Sequence, residues 1–89
     1  MDYQIQPYTI KKAKELGVTI KQSTKSGKKL DVFKNDKLIA SIGEKGMNDY
    51  PTYLKKDGKS VAEERRKLYL IRHKNDKGVA GFYAKNLLW

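Results

Sequence analysis

Between Val18 and Gly43 the apolar residues recur at every second position in three short runs separated by polar turn segments. Val18 and Ile20 form the first run, Leu30 and Val32 with Phe33 the second, and Leu38 to Ile42 the third. A two-residue period is what a half-buried strand requires, because successive side chains point to opposite faces. The stretch STKSGKK reads as a loop between the first two runs, and KND at 34–36 as a tight turn, since Asn and Asp tolerate a left-handed backbone. The expectation is a three-stranded antiparallel meander. Such a sheet needs a helix on one face before it is stable in water.

Four helical segments are available to cover it. Residues 9–16 place Ile10, Ala13 and Leu16 on a narrow stripe, with Thr9 as N-cap and Gly17 as terminator. In residues 50–57, Asp49 can cap and Pro51 suits the first turn, while Tyr50, Tyr53 and Leu54 share a face and Gly58 stops the helix. The main helix is expected over about 61–75, behind a capping box formed by Ser60 and Glu63. Its core face is read as Val61, Leu68 and Ile71, flanked by Ala62 and Tyr69. Residues 82–88 form a last short helix whose Phe82, Tyr83, Leu87 and Leu88, with Trp89, are apolar enough to require docking. The fold class expected is α+β: a small three-stranded antiparallel sheet packed on the 61–75 helix, with short flanking helices, in a single domain spanning 1–89.

The 89 residues suffice for one modest core, with little left for an enclosed substrate pocket. The six Tyr, two Phe and one Trp supply the large buried areas that argue against disorder. There is no Cys, which excludes a disulfide framework and a Cys-based zinc site. The opening residues lack the basic start and apolar run of a secretory signal, and no stretch nears the ~18 apolar residues of a membrane span. The expected location is cytosol, nucleus or a particle assembled there.

Charge sets the functional reading. The chain carries 20 Lys and Arg against 10 Asp and Glu, a net charge of +10, and such an excess attracts polyanions. It is concentrated in two segments. Residues 11–37 hold nine Lys against Glu15, Asp31 and Asp36, and residues 59–74 hold six cations against Glu63 and Glu64. Neither contains a run of five like charges, so the pattern suits a basic face better than a basic tail. The candidate phosphate contacts are Arg66, Lys67, His73 and Lys74 on the polar side of the main helix, Lys11, Lys12 and Lys14 on the first helix, and Lys25, Lys28 and Lys29 in the loop. Arg65 and Arg72 fall on the apolar arc instead. Three readings stand for them: stems on the core with heads in water, a structural anchor to Asp49 or to carbonyls of DYPTYL, or a grip on phosphate at the core edge.

No catalytic constellation emerges. His73 is the lone imidazole and has no nucleophile elbow to serve. Glu63 and Glu64 diverge by about 100° on a helix, so they do not converge on a metal. SIGEKG does not match the phosphate-binding loop G-x-x-x-x-G-K-[ST]. The expectation is a non-enzymatic protein without cofactor, metal or small-molecule substrate.

The segments SIG-x-x-G-x-x-DYPTYL and RR-x-LY-x-x-RH, with the ending FYAKNLLW, resemble a family of small uncharacterised basic proteins encoded by large DNA viruses of algae and protists. The resemblance runs from about Tyr8 to Trp89. The family's ending is closer to YADKLLW, so Lys85-Asn86 departs from it. The family has no assigned activity, and the resemblance implies origin and compartment alone: the cytoplasm or nucleus of an infected cell, or the virion. The leading expectation is binding to nucleic acid, DNA above all, through phosphates and with little sequence preference. The alternatives are a minor structural protein contacting capsid proteins, and an adaptor for an acidic host protein. None involves a membrane.

Overall fold

Lys28 to Lys34 form the central strand of a three-stranded antiparallel sheet. The structure, a computed structural model, describes residues 3–89. Its elements in chain order are α1 (Pro7–Leu16), β1 (Thr19–Gln22), β2 (Lys28–Lys34), β3 (Lys37–Glu44), α2 (Tyr50–Asp57), α3 (Lys59–Arg72) and α4 (Val79–Leu87). The sheet order is β1-β2-β3, the expected meander in an α+β domain. β2 and β3 meet through Asn35 and Asp36, both at positive φ (53° and 62°), with Lys34 opposite Lys37. That is the primed two-residue hairpin turn for which Asn and Asp are suited. Past the turn the register shifts between Val32 and Phe33, and Ile39 is the extra residue on β3.

Leu30 and Val32 of β2, with Ile42 of β3, are buried against Ala13, Val18, Leu87 and Leu88. The helices that cover the sheet are therefore α1 and α4. This corrects the expectation that the main helix would cover it. α3 packs on α2 instead, burying Ala62 and Tyr69, while Val61, Leu68 and Ile71 stay exposed. The periodic stripe on α3 is real, but this fold does not use it as core.

The helix ends differ from expectation for local reasons. α1 starts at Pro7, whose fixed φ suits a first turn. Thr9 thus sits inside α1 and is fully buried, its Oγ1 donating to Leu87 O at 2.9 Å. The proposed Ser60–Glu63 capping box is not formed. α3 begins at Lys59, and Glu63 accepts from the Tyr50 hydroxyl at 2.8 Å. α3 ends at Arg72 with His73 as C-cap, short of residue 75, where Asn75, Asp76 and Gly78 disfavour further helix. Asp49 does cap α2, accepting from Thr52 N at 3.0 Å.

The last three residues are tied down by α1 and α2. Leu87 O accepts from Thr9, Leu88 O from Tyr50 N at 2.9 Å, and Trp89 O from the Tyr8 hydroxyl at 3.1 Å. These carbonyls follow a helix C-terminus, where no intrahelical donor is available. Gly43 completes the joint. It holds φ +78°, and a Cβ there would lie 2.8 Å from Leu88 Cδ1, so only glycine lets β3 approach the α4 end this closely.

Candidate nucleic-acid interface

Arg66, Lys67 and Lys74 surround one shallow depression on the outer side of α3, floored by Leu70 and Ile71, with Glu63 at its edge. A row of cation–π and tilted aromatic contacts links this surface to α1. The Lys12 ammonium lies 5.3 Å from the Tyr8 ring centroid, Tyr8 lies 5.2 Å from Tyr50, and the Arg66 guanidinium lies 5.2 Å from Tyr50. Lys12 of α1 and Arg66 of α3 are thus connected through Tyr8 and Tyr50. Lys11 and Lys14 are exposed on the same helix as Lys12. Glu63, the one carboxylate at the depression, is engaged by Tyr50. That hydrogen bond, with burial behind it, raises the Tyr50 phenol above the ordinary tyrosine value.

Other candidates lie elsewhere. Lys29 is no surface contact: it is 4% exposed, and its Nζ pairs with Asp49 Oδ2 at 3.0 Å and donates to Met47 O. It follows the strand alternation onto the face of β2 that carries Asp31, and the 47–49 segment closes over it. His73 does not point with Lys67 and Lys74. It stacks on Tyr69 at 4.3 Å, its Nδ1 engages Asp76, and it lines a groove on the other side of α3. Lys28 lines that groove too, opposite Glu44 in register. Lys25 sits exposed in the loop between β1 and β2.

The anchor expected at Asp49 exists with a different cation. Lys29, not Arg65 or Arg72, neutralises Asp49, and Tyr3 donates to the same carboxylate at 2.6 Å. Burial first, and the Asp49 carboxylate second, raise the Tyr3 phenol above the ordinary value. Arg65 and Arg72 are exposed and form no ion pair among the described residues; Arg65 lies over Tyr53 at 5.6 Å.

A second polar cluster sits on the same face of β2 as Lys29. Asp31 is buried and accepts from the Ser23 and Ser41 hydroxyls, both at 2.7 Å. Burial alone would raise its pKa, but the two hydroxyls and Thr24 N outweigh it and hold the carboxyl below its ordinary value. This cluster braces β1 to β3 across β2.

Tyr69 is sandwiched between His73 and Trp89, with the Trp89 ring 4.4 Å away and nearly parallel. Burial raises its phenol, with Asp76 adding to the effect. Among the described residues, no group of three or more His, Asp or Glu side chains converges as metal ligands would.

Comparison with protein-family models, curated proteins and solved structures finds no match.

Two features escaped sequence reasoning. One is the tyrosine bridge, since Tyr8 and Tyr50 are 42 positions apart in the chain and no periodicity links them. The other is the Lys29–Asp49 clamp. Its only signal was strand alternation, which places Lys29 with Asp31 rather than in a free loop.

Proposed function

We propose that the protein binds nucleic acid through phosphate contacts from the joined α1–α3 surface, without enzymatic activity and with little sequence preference. The observation that carries this reading is the Lys12–Tyr8–Tyr50–Arg66 row, which makes two basic helices one surface. Lys67 and Lys74 extend it beyond Arg66, which makes four cations with Lys12. Arg66 is held over an aromatic face, so less side-chain freedom is lost when it meets a phosphate. The depression between Arg66, Lys67 and Lys74 is shallow and open, so the contacts position without specifying. The compartment that fits is the cytoplasm or nucleus of an infected cell, as the viral resemblance implies, with DNA the expected partner.

The test is binding to random duplex DNA, single-stranded DNA and RNA at several salt concentrations. Four engaged cations give a slope of log affinity on log salt of about −3.6 for duplex DNA. Arg66→Ala/Lys67→Ala/Lys74→Ala removes three of them and flattens the slope to about −0.9. Lys25→Ala and Lys28→Ala leave it unchanged, because those residues lie off this surface. Absence of binding at low salt, or equal loss from Lys25→Ala and the triple variant, would overturn the proposal.

A further inference from the structure

Beyond Ile71, which borders both surfaces, α3 carries a feature that phosphate contacts leave unused. A half-open groove of about 690 Å³ runs between α3, the β3–α2 connection and α4. Its walls present large apolar side chains to solvent: Met47 and Ile71 are each 56% exposed and Leu68 is 44% exposed. Its floor is formed by Tyr69, Trp89 and Ala84. Arg65 and Arg72 stand along the α3 wall with Leu68 and Ile71 between them, and neither has a carboxylate partner among the described residues. Cationic heads on an uncovered apolar wall imply a partner that brings both apolar surface and negative charge.

We infer that this groove docks an acidic amphipathic helix of a partner protein. The spacing of the arginines selects a helix. They are seven residues apart, or about 10 Å along α3. Carboxylates seven residues apart on a second helix project from one face at the same separation. On an extended strand, residues on one face repeat every ~7 Å, so no pair matches 10 Å. A single small anion would reach only one of the two guanidiniums. The apolar residues between the acids would lie on Leu68 and Ile71, the helix-in-groove arrangement. On the β2–β3 side Lys28 stands opposite Glu44 and offsets it, so the unpaired cations Arg65 and Arg72 set the acidic edge of the occupant toward α3. A second copy of this chain fits poorly, because two molecules of charge +10 repel. Nucleic acid fits poorly as well, since its phosphates would leave Met47, Leu68 and Ile71 uncovered.

This goes beyond nucleic-acid binding, and the two surfaces can fail separately. The test uses a synthetic helical peptide with Leu along one face and Glu at two positions seven apart, and a version with Gln in place of Glu. Trp89 is the only tryptophan and lines the groove, so its emission reports binding, with backbone amide shifts mapping the site. The acidic peptide should bind at least tenfold tighter than the Gln version and shift Met47, Leu68, Ile71 and Trp89. Arg65→Gln/Arg72→Gln, both exposed and expected to fold normally, should lose about tenfold. Arg66→Ala/Lys67→Ala/Lys74→Ala should change affinity less than twofold. Equal affinity for the two peptides overturns the inference, as does equal loss in the two variants, which would mean general attraction to a basic protein. Shifts from single-stranded DNA at the same groove residues, competing with the peptide, would reassign the groove to nucleic acid.

Discussion

Lys29 and Asp49 are the residues on which the 45–49 segment depends. Both are nearly inaccessible, and Asp49 simultaneously caps α2, accepts from Tyr3 and neutralises Lys29. Removing one member leaves the other charge buried without its counter-ion, which costs about 3–5 kcal/mol. Lys29→Met is expected to lose about that much in urea unfolding. Lys29→Met/Asp49→Asn should lose less than the two single changes added together, by at least ~1 kcal/mol, because the two share one interaction. Additive losses would show that the pair is not coupled. Asp31 makes a separate prediction in pH. Its folded pKa lies below the ordinary value, so the unfolded chain binds the proton more readily and stability rises with pH through that window. The advantage of wild type over Asp31→Asn should be full at pH 7. It should shrink as pH falls below the ordinary Asp value, about 3.9, and vanish below the depressed one. A constant difference from pH 7 to 2 would mean that Asn loses packing rather than charge-assisted hydrogen bonds.

At the level of elements, the strands were far more legible than the main helix's role. Alternation located all three strands, and Asn35-Asp36 marked the turn, because both signals are local to the chain. The 61–75 pattern located a helix but centred its core face on Val61, Leu68 and Ile71, whereas only the flanking Ala62 and Tyr69 are buried. Periodicity reports where apolar residues lie on a helix, not which neighbour covers them. Here Ala62 and Tyr69 are buried, and Leu68 and Ile71 line the groove. Such a break between local pattern and fold is expected where a surface serves binding. The basic face was half legible. Arg66, Lys67 and Lys74 do share a side, while Lys29 and His73 were drawn away by Asp49 and by Tyr69 with Asp76. Two substitutions separate sequence signal from structural use. Ser60→Ala removes the apparent capping box, yet no cap hydrogen bond exists there. Its effect should stay within about 0.5 kcal/mol. Thr9→Val looks conservative but strips the buried donor from Leu87 O. It should cost about 1–3 kcal/mol and loosen α4 first, visible as faster amide exchange at Leu87 and Leu88. The reverse ranking of these two variants would refute the assignment of both helix ends.

For the whole molecule, charge dominates behaviour in solution. Twenty cations face ten carboxylates, and the one buried pair among the described residues, Lys29–Asp49, is shielded from salt. The other ion pair among the described residues, His73–Asp76, is exposed and contributes little. Self-repulsion among the remaining cations therefore outweighs surface attraction. Added salt screens that repulsion over a Debye length that falls from about 30 Å at 0.01 M to about 8 Å at 0.15 M. The melting temperature of the free protein should then rise with salt over this range. Each 1 kcal/mol of relief corresponds to roughly 4–8 °C for a domain of this size. A bound polyanion acts in the opposite sense. At low salt, duplex DNA in excess should raise the melting temperature further, by linkage to the folded state. That increment should shrink as salt rises, because each released counterion then carries less free energy. Melts with and without DNA should thus converge from above and below toward one value at high salt. The Arg66→Ala/Lys67→Ala/Lys74→Ala variant, having shed three positive charges, should start higher without DNA and gain less from it. Parallel salt dependences with and without DNA would mean that the cations repel one another but do not form a joint phosphate-binding surface.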